Sequence, residues 1–368
     1  MKRILLLIKG LGRGGAEQLL ASAAPHLDRS RYRYEVAYLL PWKDALVGEL
    51  EGAGLRVHCL DGARGPGWIG RLGTLVRDGD FDLVHAHSPL AAIGARIRLA
   101  GSRRPRLVYT EHNVWERYHR ATYWGNVATY HRNDYVIAVS QHVSDSIRYP
   151  APARALPMPP VETRYQGIDP EAVAARVAID GVREELGIAE DAPVVGMVAN
   201  FKPGKGHDGL VEASVLVRRS VPEARFVLVG RGPFEADVRR RARELGVDAS
   251  FVFAGYREDA TRIMTAFDVL AVPSVYDGLS IALLEAMGLG VPAVLTRVGG
   301  NPEAVSDGEH GLVVPPADAE ALSNGIVALL RDPGLRARLG EAAKLRAAAF
   351  DIRAAVRRTE EIYEELLG

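Results

Sequence analysis

The stretch PSVYDGLSIALLEAMGLGVPAVLTRVGGNPE, residues 273 to 303, reads as a strand end, a loop, a helix, a second strand and a glycine turn. Its acids stand where that pattern does not want them. The spacing predicts a helix over Leu279–Met287. On its wheel Glu285 falls between Ile281, Ala282 and Gly288, so the helix has hardly any polar side and should be buried. A buried carboxylate is costly unless something hydrogen-bonds it, so Glu285 asks for a polar partner that its own helix cannot supply, such as a ligand hydroxyl. Asp277 sits in the loop that feeds the helix. Gly278, Leu279 and Ser280 should offer free backbone N–H groups at the helix start, which suits a phosphate. The alternative is a Glu285 paired to a core arginine and an Asp277 that only caps the helix.

Upstream and downstream of this stretch, apolar runs alternate with helical patterns. Val194–Val198, Phe226–Val229, Phe251–Ala254, Val269–Val272, Ala293–Leu295 and Leu312–Val314 read as strands, with helices such as His207–Arg218 and Glu235–Leu245 between them. An earlier series reads the same way: Ile4–Ile8, Glu35–Leu40, Arg56–Leu60, Leu83–His87, Leu107–Thr110 and Tyr135–Ser140. Near-continuous apolar strands separated by helices imply parallel sheets covered on both faces. The proline-rich Ala155–Pro160 is unlike either element and places a hinge between there and Asp169. The chain is therefore read as α/β, two doubly wound domains in tandem over 1–165 and 166–351. A last helix, about 352–368, is expected to pack back on the first domain.

Glycine loops follow several strands. Gly10-Leu11-Gly12-Arg13-Gly14-Gly15 is a formal G-x-G-x-x-G, but the second strand ends in Tyr38-Leu39-Leu40-Pro41 without the acid a dinucleotide enzyme needs. Gly14 and Gly15 keep the general reading, in which phosphate or sugar approaches the backbone at a helix start, or a tight turn with no ligand. In the second domain Asn200-Phe201-Lys202-Pro203-Gly204-Lys205-Gly206-His207 sets a lysine between two glycines, where its ammonium can meet a diphosphate. It lacks the Walker pattern, so ATP hydrolysis is disfavoured. Gly230-Arg231-Gly232-Pro233 and Gly299-Gly300-Asn301-Pro302-Glu303 give two more loops on the same edge. Three loops and Glu285 describe a nucleotide-diphosphate site.

His85, His87 and His112 lie at or near strand ends, and of these His112 is expected to touch substrate. No carboxylate or cysteine shares the H-x-H spacing, so metal ligation is not expected. The D-x-D pairs among Asp78, Asp80 and Asp82 precede a strand, at the wrong end for ligand chemistry, and read as solvated loop acids.

The chain has 368 residues, 48% of them hydrophobic, and a net charge of zero, yet its halves differ. Residues 1–165 hold 23 Lys/Arg against 15 Asp/Glu, and 166–368 hold 23 against 31, so the first domain is suited to an anionic partner. Arg96, Arg98, Arg103, Arg104 and Arg106 with Ile97 and Leu99, and then Trp115, Arg117, Tyr118, His119, Arg120, Tyr123 and Trp124, read as a basic-apolar surface for an anionic membrane, or else as a solvated helix face and loop. No apolar run approaches the roughly 18–20 residues that span a bilayer, and MKRILLLIKG reads as a first strand rather than a signal peptide. The single Cys59 excludes an internal disulfide and is consistent with a reducing cytoplasm.

Assembled, these motifs resemble the retaining glycosyltransferases of the GT4 family, which have the GT-B fold. The resemblance covers nearly the whole chain. It rests on GGAE at Gly14–Glu17, HAHSPL at His85–Leu90, TEHN at Thr110–Asn113, KGHD at Lys205–Asp208, LEAM with its following G-x-P, and GGNPE. It implies two Rossmann-like domains facing across a cleft, the first on the acceptor side and the second binding the nucleotide sugar. It also implies that Glu285 holds the ribose diol, Asp277 the donor sugar, and Gly278, Leu279 and Ser280 the phosphate oxygens. Lys205 would neutralise the departing diphosphate and His112 would reach the sugar. No cofactor and no metal are implied. The expected partners are a nucleotide sugar and a glycan, glycolipid or small-molecule acceptor, with no nucleic acid.

Three features depart from the family, one of them the hinge motif, usually N-G-I-D and here Gln166-Gly167-Ile168-Asp169. Asp277 stands where the family usually has Glu, and Asn200 where many members carry Arg, with Lys202 the nearest cation. The expected activity is transfer of a hexose-type sugar with retention. The alternatives are a nucleotide-sugar epimerase on the same architecture and a weakened nucleotide-sugar-binding protein.

Overall fold

The computed structural model describes residues 1–102, 104–175 and 181–368, so Arg103 of the basic run lies outside the described residues. The chain forms two compact units, Met1–Gly167 with Ile352–Gly368, and Ile168–Asp351.

The first unit holds a seven-stranded parallel sheet in the order β3-β2-β1-β4-β5-β6-β7. Its strands are β1 Lys2–Ile8, β2 Tyr32–Tyr38, β3 Arg56–Cys59, β4 Leu83–Ala86, β5 Arg106–Glu111, β6 Tyr135–Ala138 and β7 Val161–Thr163. Alternate side chains of β1 enter opposite faces. Ile4, Leu6 and Ile8 join one buried cluster, while Leu5 and Leu7 join another. This two-sided burial is why the strands read as continuous apolar runs. The β7 strand escaped the sequence reading because it has only three residues, follows Pro159-Pro160 and pairs on one side.

The helix Ile352–Leu367 belongs to this unit. Ile362 and Tyr363 enter the β1–β2 cluster, and Glu360 Oε1 accepts from Tyr34 Oη at 2.7 Å. Arg358 forms an ion pair with Glu162 at 2.8 Å.

The second unit has a six-stranded parallel sheet in the order β10-β9-β8-β11-β12-β13. Here β8 is Val194–Val198, β9 Arg225–Val229, β10 Phe251–Gly255, β11 Val269–Val272, β12 Ala293–Thr296 and β13 Gly311–Val314. The strand order reverses between β8 and β11, and the crevice at such a switch point is where open α/β sheets bind ligands. The lysine loop leaves β8 and the Asp277 loop leaves β11, so this topology brings them together.

Candidate functional site

The lysine loop is seated by its glycines. Gly206 has φ +80°, and a Cβ there would lie 1.9 Å from the Pro273 carbonyl oxygen, so only glycine lets the loop approach β11 this closely. Gly204 accepts from the Val275 N–H at 2.8 Å, and Tyr276 Oη donates to the Pro203 carbonyl at 3.0 Å. Held in this way, Lys205 Nζ donates to Asp277 Oδ2 at 2.6 Å. The same oxygen accepts from Ser274 Oγ at 3.2 Å, and Asp277 Oδ1 accepts from the Gly278 N–H at 3.0 Å.

The helix begins at Ile281 and runs to Leu289, two residues later than expected. Ser280 is extended and its hydroxyl accepts from the Leu283 N–H at 3.4 Å, which makes it the cap. Of the three N–H groups expected to be free, two are occupied. Gly278 is bonded to Asp277, and Ser280 donates to Asn301 Oδ1 at 2.9 Å. The Leu279 N–H has no partner among the described residues. The GGNPE turn closes on this loop: a Cβ on Gly299 would lie 1.9 Å from the Asp277 carbonyl oxygen, and the Gly300 N–H donates to the Gly278 carbonyl.

Glu285 lies on this helix, partly buried, and Oε1 accepts from Thr261 Oγ1 at 3.1 Å, its only hydrogen bond among the described residues. Among the described residues no arginine pairs with it. Burial pushes its carboxyl up to about 7, partly offset by Thr261. Of the other predicted residues, Asn200 is partly buried after β8, Lys202 is exposed, and the Gly230 N–H donates to the Gly255 carbonyl at 2.8 Å. Glu303 lies in the short helix Asn301–Ala304, partly buried.

In the first unit Gly14 caps the helix Gly15–Ala23 through backbone alone. A Cβ on Gly15 would meet nothing within 4 Å, so packing does not demand glycine there. His112 Nδ1 accepts from Gln166 Nε2 at 2.6 Å, which leaves the ring proton on Nε2. Burial first, and then the charge of Arg164, pushes His112 down to about 4, so the ring is neutral. Beside it Glu111, 0% exposed, accepts from Tyr109, Tyr118, Trp115 Nε1 and the Asn113 N–H, and so clamps the loop that carries His112. His85 is within hydrogen-bond distance of Tyr363 Oη at 2.6 Å and Thr110 Oγ1 at 2.7 Å, a tie between the C-terminal helix and the sheet.

The basic-apolar surface needs correcting. Arg96 is 1% exposed, bonded to Asn126 and Asn133 and set over the rings of Tyr109 and Tyr130. Trp115 is 1% exposed. Both are core residues, which leaves Ile97, Trp124, Arg98, Arg104 and Arg106 of that run exposed, with Arg104 and Arg106 paired to Asp82 and Asp134. Asp82 accepts from the Arg3 N–H at 2.9 Å at the start of the sheet. Among the described residues no three His, Cys, Asp or Glu side chains are grouped to hold a metal, and no helix is long and apolar enough to cross a membrane.

Comparison with known proteins gives the family and the fold. Residues 13–172 match the model for Glycosyltransferase Family 4, and residues 179–346 match Glycosyl transferases group 1. The GDP-mannose-dependent alpha-(1-6)-phosphatidylinositol monomannoside mannosyltransferase of Mycolicibacterium smegmatis is 34% identical over 293 residues, 74% of each chain. This chain belongs to the GT4 family of GT-B glycosyltransferases. The glycosyltransferase is also 29% identical over 370 residues to the Mycobacterium tuberculosis protein of the same name, covering 94% of this chain and 93% of that one. The crystal structure of Anabaena HepE in complex with UDP is similar to it, with a TM-score of 0.82 and 25% identity over 99% of this chain and 100% of that one.

Proposed function

We propose that the protein moves a hexose-type sugar, with retention, from a nucleoside diphosphate sugar to a hydroxyl of a glycan, glycolipid or small-molecule acceptor, without a bound metal. The observation that carries this reading is the Lys205–Asp277 pair at the start of the helix that bears Glu285. Relatives named for GDP-mannose and a neighbour solved with UDP support a nucleoside diphosphate sugar as donor.

As the bond from the anomeric carbon to the phosphate oxygen breaks, negative charge grows on the diphosphate. Lys205 and the Leu279 N–H stabilise that charge. The acceptor oxygen bonds to the anomeric carbon from the same face, and its proton passes to the departing phosphate oxygen. Ionised Glu285 accepts from the ribose diol. Asp277 mainly positions Lys205; a carboxylate has about four acceptor sites, so one remains for a sugar hydroxyl. In the first unit the neutral His112 presents an N–H suited to a sugar hydroxyl.

The test is a panel of UDP-, GDP-, ADP- and TDP-sugars with alkyl glycoside acceptors, followed by proton NMR with and without EDTA. The expected result is one donor consumed, product of unchanged anomeric configuration, and no loss in EDTA. An inverted product, loss in EDTA, or no donor consumed would overturn the reading. The exposed Ile97 and Trp124 support contact of the first unit with an anionic membrane. Sedimentation with anionic but not neutral vesicles, weakened by Trp124→Ala, is the expected result.

A further inference from the structure

Within the first unit a cavity of about 100 Å³ lies among β1, the helix Gly15–Ala23 and the helix Ile352–Leu367. One water needs roughly 10–15 Å³ by the same kind of measure, so there is room for a short alkyl segment. Leu19, Leu20, Ala23, Leu27, Ile352 and Val356 give it apolar walls. Its polar residues fall into two groups. Glu360 is satisfied by Tyr34 Oη and the Asp28 N–H at 2.7 and 2.8 Å. His87, His112 and Arg164 are not satisfied, because the Nε2 atoms of both rings and Nε of the guanidinium are buried without a hydrogen-bond partner.

Arg164 donates to the Ala355 carbonyl and has no carboxylate partner among the described residues, since the nearby Glu162 is paired with Arg358. A buried cation without a counter-charge is costly, and an orphaned buried donor adds to that cost. The two rings cannot supply the charge, because both are neutral neighbours of the same cation. What is missing is an acceptor bearing negative charge.

We propose that this cavity seats the oxyanion head of a single-chain amphiphile against Arg164, His87 and His112, with its alkyl part between Leu20, Leu27 and Val356. The site rests on Arg164 and His87 and shares only the His112 N–H with the transferase reading, so an amphiphile seated here competes with a sugar hydroxyl for that group. The nucleoside diphosphate titration, which reads the second unit, can succeed or fail separately.

The experiment is calorimetric titration with octyl phosphate below its micelle concentration, with octanoate, inorganic phosphate and octyl glucoside as further arms. Octyl phosphate is expected to bind, and Arg164→Gln should weaken it by about 10- to 100-fold through loss of a charge-assisted bond. Leu20→Trp, which fills the apolar end and keeps Arg164, should abolish binding. Circular dichroism and thermal unfolding identify a variant that has not folded, and the other variant then carries the test. Octanoate binding as well as octyl phosphate assigns a fatty-acid-like ligand, and weaker octanoate binding assigns a phosphate-headed one. The proposal is overturned if neither amphiphile binds, if the folded variants bind like wild type, or if inorganic phosphate or octyl glucoside matches octyl phosphate.

Discussion

Lys205 Nζ and Asp277 Oδ2 are 2.6 Å apart although the residues lie 72 positions apart in the chain. The pair holds the ammonium at the loop that feeds the helix Ile281–Leu289, the loop whose Leu279 N–H has no partner among the described residues. Lys205→Ala should lower kcat/KM by about 10²- to 10³-fold, the usual cost of losing one preorganised donor to developing charge. Steady-state kinetics on the donor identified above checks this, and a loss of only a few-fold would remove Lys205 from the site.

Gly206→Ala tests the seat rather than the charge. With φ +80° and a Cβ 1.9 Å from the Pro273 carbonyl oxygen, alanine forces the loop off β11. The expected cost is about 1–3 kcal/mol of stability, with a loss of activity beside it. Urea unfolding measures the first, and an unchanged midpoint would contradict the packing described.

Glu285 makes stability depend on pH in a defined direction. Its folded value of about 7 lies above the ordinary 4.5, so the folded state prefers the protonated form. That contribution is complete below about 4.5 and is lost as pH rises towards 7. Discounted for partial exposure, it amounts to about 2 kcal/mol. Glu285→Gln should therefore stabilise the free protein at pH 8 by about that amount and change little near pH 4.5, as urea midpoints at both values would show.

The histidines act in the opposite direction. Burial lowers His85 well below its ordinary 6.5, His87 to about 3 and His112 to about 4. The unfolded chain binds protons that the folded chain does not, so stability is full above pH 6.5 and falls as pH drops below it. Each ring takes away about 1.4 kcal/mol per pH unit in that range. His87→Asn should flatten the slope between pH 6 and 4.5, and an unchanged slope would refute the assignment.

The strands and the lysine, GGNPE and Asp277 loops were legible because apolar periodicity and glycine spacing are local signals. Contacts between distant segments were not. Asn301 stands in a turn the sequence marks plainly, yet nothing local says that its side chain occupies the Ser280 N–H. Thr261, the partner of Glu285, carries no motif. Arg96 looked like one of a surface run because its partners Asn126, Asn133, Tyr109 and Tyr130 come from other elements. Gln166 stood out as a departure in the hinge motif, but its bond to His112 did not, and Arg164 gained meaning only from the cavity beside it.

The most direct test of the central claim is calorimetric titration of UDP, GDP, ADP and TDP, in EDTA, into the wild type and Glu285→Gln. The account predicts that one of the four binds at about micromolar concentration, near −8 kcal/mol. Glu285→Gln should weaken that ligand by about tenfold or more through loss of a charged acceptor. Binding of none, or equal binding to both proteins, would contradict a nucleotide-sugar site built on this helix.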